Sequence, residues 1–207
     1  MRLTGVHDSA LVELVEVFAR LRAECGWKAA QTHRSLARHL LEETYETLEV
    51  IDALDGGGSP DDLREELRDE LGDVLLQVYL HAAIAAETGA FDIEDVAAGL
   101  RDKMVRRNPH VFGDVEETDP GRINETWESV KATEKQRTGL LDGVPLALPA
   151  LARADKVLDR LGRAGVEVPP GDPDDVGERL LALVVEARES GVDPEQALRD
   201  AVRRISA

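Results

Sequence analysis

Four carboxylates stand out by their spacing. Glu43 and Glu46 lie three residues apart in LLEETYETLEV (40–50), and Glu70 and Asp73 lie three apart in DELGDVLLQV (69–78). A helix turns about 100° per residue, so positions i and i+3 stand nearly one above the other. In both segments the pair falls at the edge of the apolar stripe: Glu43 and Glu46 beside Leu36 and Val50, Glu70 and Asp73 beside Leu63 and Val74. Helices joined by a short connection pack antiparallel by default, which would bring the four carboxylates towards one another. Such a cluster is repulsive unless a cation sits in it, and hard divalent ions such as Mg²⁺ take all-oxygen shells. The pattern therefore reads as a cradle for Mg²⁺, with Mn²⁺ as a substitute. The competing reading is a solvated acidic face, because Glu42, Glu49, Glu65, Glu66 and Asp69 point further round the same helices. A di-iron bundle is disfavoured, since no glutamate is followed three residues later by histidine, and there is no HExxH zinc motif.

The basic residues bear on the same question. Lys103, Arg106 and Arg107 fall at i, i+3 and i+4 near the end of one predicted helix, and Lys131 follows Trp127 by one turn on another. A metal-bound polyphosphate needs cations for its phosphates and a ring to stack on a base. Compensation of a helix dipole accounts for the cations equally well, and Trp127 can be a core residue.

The elements that must position these groups are helices. The chain has 207 residues, 43% of them hydrophobic but only 3% aromatic, with Leu, Ala, Val, Glu and Arg prominent, which favours packed helices over a β-sandwich. Apolar residues at three- and four-residue spacing predict a first helix from Asp8 or Ser9 to Gly26 with Leu11, Leu14, Val15, Phe18 and Leu21 inward. A second carries Leu36, Leu40, Tyr45, Leu48 and Ile51 and stops at Gly56-Gly57-Gly58. A third opens at Pro60 with Leu63, Leu67, Leu71, Val74, Val78 and Ala82 inward. A fourth is capped by Asp92 and ended by Asn108-Pro109, and a fifth runs from about Pro120 to Arg137. Glycines and prolines from Gly139 to Pro149 mark a hinge, beyond which three shorter helices follow. In that tail DVGERLLALVVEAR (175–188) echoes ELGDVLLQVYLHAA (70–83), as half of a decayed repeat would.

The formal charge of −17 is spread along the chain and argues against a general grip on nucleic acid. A single cysteine, Cys25, excludes an internal disulfide framework and fits a reducing cytoplasm. No run is apolar and long enough to span a bilayer, and the first residues lack the apolar centre of a signal peptide.

Together these segments resemble the MazG family of all-α nucleoside triphosphate pyrophosphohydrolases. The likeness runs from about residue 11 to residue 137: LLEETYE and DELGDVLLQV resemble the family's ExxE and ExxD metal motif, and QTHRSL, DKMVRRNPHVFGD and WESVKATEK resemble its other marker segments. LLDGVPLALPALARADK is similar to the connector between tandem units of longer members. The resemblance implies an all-α fold with a four-helix-bundle core and additional C-terminal helices, divided as a catalytic domain over 1–138 and a connector with a degenerate tail over 139–207. It implies Mg²⁺-dependent hydrolysis of nucleoside triphosphates to monophosphate and pyrophosphate, and a homodimer. Carried over by position, Glu43, Glu46, Glu70 and Asp73 would hold the metal, and Lys103, Arg106, Arg107, Trp127 and Lys131 the substrate. Trp27, Gln31 and His33 lie in the marker loop as further pocket candidates, and Glu42 or Glu46 would take a proton from the attacking water. The sequence departs from the family pattern at CGWK, where Lys28 replaces an acid and a proline is missing, and at Asn108, which replaces a histidine. The tail keeps acids at Asp175 and Glu178 without a preceding ExxE helix, so one active unit per chain is expected. A nucleotide-sensing or partner-binding helical protein with weak catalysis is the alternative on the same scaffold, and a purely structural helical dimer is the third.

Overall fold

The computed structural model describes residues 9–55, 59–134 and 139–206, and among them every regular element is a helix. The chain divides into two compact units, Met1–Glu117 and Thr118–Ala207.

The first unit holds α1 (Ala10–Glu24), α2 (Gly26–Ala29), α3 (His33–Asp55), α4 (Pro60–Glu87), α5 (Ile93–Arg107) and α6 (Pro109–Phe112). The helix boundaries follow local chemistry. Thr32 and Ser35 open α3 with reciprocal bonds, Thr32 N to Ser35 Oγ at 2.9 Å and Ser35 N to Thr32 Oγ1 at 3.1 Å. Pro60 starts α4, where its missing N–H costs nothing. At the other end Gly89 takes φ +67°, and the bonds Ala90 N to Ala85 O and Gly89 N to Ala86 O close the helix as a Schellman turn that only glycine enters without strain. Asp92 and Asp95 then form a capping box at the start of α5.

Two boundaries differ from expectation. The chain turns at Cys25, which is extended, and Gly26 opens the one-turn α2 instead of ending α1. The segment after Asn108 contains α6, started by Pro109, where a loop was expected. Asp8, the glycine run 56–58, the end of the fifth helix at Arg137 and the 138/139 boundary lie outside the described residues.

The spine of the unit is α4, which touches α1, α3 and α5. Its 28 residues make it about 42 Å long at 1.5 Å per residue. Phe18, Leu36, Tyr79 and Leu80 form the buried core, with Leu14, Leu21, Leu75, Leu76, Ala83, Ile84 and Ile93 against it. Phe18 and Tyr79 stack with ring centroids 5.4 Å apart, and the Tyr79 hydroxyl donates to the Leu11 carbonyl at 2.6 Å. The inward face of α4 is broader than the predicted stripe: Ala82 is buried and Leu63, Leu67, Val74 and Val78 are half-buried as expected, but Leu71 is 52% exposed, and Gln77, Tyr79, Leu80 and Ala85 outside the stripe are buried. LLQVYLHAAIAA is apolar round most of the helix, so periodicity does not select one face, and contact with three helices covers several. On α1, Leu11 and Val15, expected inward, are likewise exposed and only Phe18 is fully buried.

The second unit holds α7 (Pro120–Glu134), α8 (Ala150–Arg163), α9 (Val176–Glu189) and α10 (Pro194–Ser206). Helices α8, α9 and α10 pack on one another, burying Leu158, Val184 and Pro194. Arg188 of α9 pairs with Asp155 at 2.5 Å and Asp159 at 3.4 Å on α8. Helix α7 groups with this tail, and Arg163 of α8 stands 3.8 Å from Glu128 of α7.

Candidate functional site

The carboxylate site is built by the antiparallel pairing of α3 and α4. Its register can be followed in three contacts: His33 meets His81, Glu43 meets Gln77, and Glu46 meets Glu70, so residue numbers rise on one helix as they fall on the other. Glu43, Glu46 and Glu70 each direct a carboxylate oxygen into a group whose members all lie within 4.8 Å of one another. Asp73 is not part of that group, yet its charge acts on both Glu43 and Glu70. Three of the four predicted ligands are thus gathered at one point, with the fourth beside them.

The electrostatics are those of a site short of positive charge. Burial pushes the Glu43 carboxyl up from its ordinary value, and the neighbouring Asp73 and Glu46 push it further, while Gln77 opposes them with a hydrogen bond. Desolvation also raises Glu70, followed by the charges of Glu46, Asp73, Glu66 and Asp69. A hard divalent cation fits such a donor set, which is all oxygen, anionic and drawn from two rigid helices.

Around this centre the other sequence candidates take distinct places. Glu42 is exposed and its carboxylate meets His39 Nδ1 at 2.9 Å, while Arg38 Nε donates to His39 Nε2 at 3.2 Å. Those two bonds require the His39 proton to be on Nδ1, pointing at Glu42. Trp27 is 53% exposed, stands edge-on to His39 at 6.1 Å between ring centroids, and has the Lys28 ammonium 4.8 Å from its ring. The marker loop therefore leans on α3 one turn before Glu43. Gln31 spends both ends of its amide inside that loop, donating to the Trp27 carbonyl at 3.0 Å and accepting from Ser35 Oγ at 2.7 Å. His33 sets Nδ1 2.7 Å from His81 Nδ1, a distance that needs one proton between two nitrogens. Burial and the neighbouring His33 hold His81 below the ordinary imidazole range.

Lys103, Arg106 and Arg107 occupy the C-terminal part of α5, where Lys103 is half-buried, Arg106 exposed and Arg107 buried. Trp127 and Lys131 belong to α7 in the second unit; Trp127 is half-buried and Lys131 pairs with Glu128 at 2.5 Å. The tail acids do local work, since Asp175 is the N-cap of α9 and accepts from Glu178 N at 2.9 Å. Among the described residues the tail assembles no second carboxylate group.

Sequence reasoning overlooked Gln77, His39 and Arg22. Gln77 had a usable signal, standing one helical turn beyond Asp73, and His39 stands three residues before Glu42. Arg22 had none: it joins Glu87, 65 residues away, and the carbonyls of Lys28 and Gln31, contacts that only the tertiary fold creates.

The profile of the MazG nucleotide pyrophosphohydrolase domain matches residues 31–112, the stretch that carries the three clustered glutamates. The nucleoside triphosphate pyrophosphohydrolase/pyrophosphatase MazG of Thermotoga maritima is 38% identical over 93% of this chain and 81% of its own length. The chain belongs to the MazG family. An uncharacterized 26.1 kDa protein of Streptomyces cacaoi is 45% identical over 96% of this chain and 82% of its own. The nucleoside triphosphate pyrophosphohydrolase of Escherichia coli is 37% identical over 87% and 68%. These relatives align well beyond the matched domain, so the MazG likeness takes in part of the tail as well as the helices of the carboxylate site.

Proposed function

We propose that this MazG protein hydrolyses nucleoside triphosphates, ordinary or damaged, to nucleoside monophosphate and pyrophosphate with the help of Mg²⁺. The observation that carries the reading is the convergence of Glu43, Glu46 and Glu70 within 4.8 Å across two helices. Its setting in a MazG domain supports it, as do the activities for which the Thermotoga maritima and Escherichia coli relatives are named.

Glu43, Glu46 and Glu70, with Asp73 beside them, would hold Mg²⁺ or Mn²⁺. Such an ion, when bound, neutralises triphosphate charge and lowers the pKa of a bound water. Glu42 lies one turn before Glu46 on the same face of α3, and its bond to His39 fixes its orientation, so it is our preferred proton acceptor. Lys103, Arg106 and Arg107 would supply cations for the phosphoryl oxygens. Trp27 would offer a ring for a nucleobase. The chain's charge of −17 favours a small triphosphate over a nucleic-acid polymer as its ligand.

The decisive experiment is product identity with the purified protein, a nucleoside triphosphate and Mg²⁺. Monophosphate plus pyrophosphate is expected; diphosphate plus phosphate, or turnover unaffected by chelator, refutes the reading. We also propose a homodimer, supported by the apolar residues Leu11, Val12, Val15 and Val17 exposed on α1. Light scattering at micromolar concentration should give twice the 22.6 kDa chain mass, and a clean monomer would contradict it.

A further inference from the structure

We propose that Gln77 is a positioning residue for Glu43, its side-chain amide holding that carboxylate in place for a divalent cation while its own oxygen stays buried without a donor. The inference rests on the cation site proposed above and adds a residue to it.

Gln77 is only 3% exposed, and its Nε2 lies 3.4 Å from Glu43 Oε1 across the α3–α4 seam. Its Oε1 is buried and has no hydrogen-bond partner among the described residues. Buried amide oxygens are nearly always satisfied, so this one calls for a reason. Turning the amide over does not help when Glu43 is ionised: two oxygens would face each other and the amide nitrogen would lose its acceptor. The orientation with nitrogen towards Glu43 is the one an ionised carboxylate selects, and the orphaned oxygen follows from it. Folding alone gives no cause to keep an amide here. Leu76 and Leu80 flank it on α4, and an apolar side chain of similar length would fill the same space without an orphaned amide oxygen, losing only the long bond to Glu43.

Around Glu43 the other polar neighbours are acids. Glu46 and Glu70 each bring a carboxylate oxygen within 4.8 Å of it, and Gln77 reaches it as a neutral donor. A neutral donor is the useful choice at this depth. A lysine would neutralise the charge intended for the cation, and another carboxylate would add to the repulsion. Gln77 thus stands behind a ligand as outer partners of metal-bound carboxylates do, and loss of such partners weakens metal affinity roughly 10- to 100-fold.

The test measures Mn²⁺ binding to the full chain at neutral pH, by calorimetry or by the spin resonance of free ion, together with the thermal midpoint of the metal-free protein. Gln77→Met should weaken Mn²⁺ binding by at least tenfold while the metal-free midpoint stays level or rises. Gln77→Leu, read the same way, serves if the methionine variant does not fold. Thr47→Val is the control: Thr47 is equally buried, but its hydroxyl bonds the Glu43 main-chain carbonyl at 2.8 Å and not the carboxylate. It should leave Mn²⁺ affinity unchanged. Wild-type affinity in Gln77→Met, or an equal loss in Thr47→Val, overturns the assignment of Gln77 alone. A wild-type protein that binds no Mn²⁺ overturns the cation site itself, and Gln77 with it.

Discussion

Glu70 opposes folding at the place where the proposed site would use its charge. Its carboxyl is raised by desolvation and by the charges of Glu46, Asp73, Glu66 and Asp69, so its ionised form is less favourable in the folded protein than in the unfolded chain. A carboxyl raised in this way destabilises the fold above its folded pKa and ceases to do so as pH falls below its unfolded value. Glu70→Gln removes that repulsion and also removes a proposed ligand. Turnover should fall about a hundredfold or more, the scale of losing a group that stabilises reaction charge. The thermal midpoint of the metal-free variant should exceed that of the parent at pH 8, with the difference shrinking towards pH 4. Circular dichroism melts at the two pH values check this, and a variant less stable than the parent at pH 8 would refute it. The convergence of Glu43, Glu46 and Glu70 was legible because ExxE and ExxD encode a helix face directly in their spacing. Gln77 was harder to read, since a glutamine inside LLQVYL looks like a polar interruption until the partner helix is in place.

The elements were legible wherever local chemistry sets them. Asp92, Pro60 and Pro194 start their helices as their residue types predict, whereas Cys25, Gly26 and Pro109 act through loop geometry that no periodicity reports. The face of α4 was only partly legible: Ala82 is buried as its spacing predicts, but Leu71 is exposed and Tyr79 and Leu80 are buried, because the apolar second half suits several orientations and α1, α3 and α5 together make the choice. Contacts between elements distant in sequence were also hidden, and Arg22 is the plainest case. Its guanidinium reaches Glu87 at 2.6 and 2.8 Å and also the carbonyls of Lys28 and Gln31, so one side chain of α1 ties the end of α4 to α2, which bears Trp27, and to the residues just after it. Glu87→Gln should cost about 1–2 kcal/mol, at the low end for charge-assisted bonds because Glu87 is half exposed and screened. Arg22 holds the Glu87 carboxyl below its ordinary range, chiefly through their hydrogen bond. That contribution is complete above the unfolded pKa and is lost as pH falls through the folded one, opposite in sign to Glu70. Urea unfolding at pH 7 should separate parent from variant, and the gap should close in acid.

At the scale of the whole molecule two kinds of repulsion are superposed. A charge of −17 on 207 residues opposes compaction everywhere, and the carboxylate cluster opposes it at one point. Monovalent salt screens the first over a Debye length of about 10 Å at 0.1 M, whatever the arrangement of the charges. A divalent cation adds to the second only if the three glutamates act as a site, because binding to the native state alone stabilises in proportion to the logarithm of ligand over Kd. In low-salt buffer, NaCl at a few hundred millimolar should therefore raise the thermal midpoint of the parent and of a Glu43→Gln, Glu46→Gln, Glu70→Gln triple variant alike. Millimolar MgCl₂ added on top of that salt should raise the parent further and leave the triple variant where it was. If Mg²⁺ moved both proteins equally, its effect would be counter-ion screening spread over an acidic surface, and the cluster would be no more than part of that surface. If it moved the parent alone, the repulsion concentrated between α3 and α4 would be the part of the charge that this fold holds for a cation.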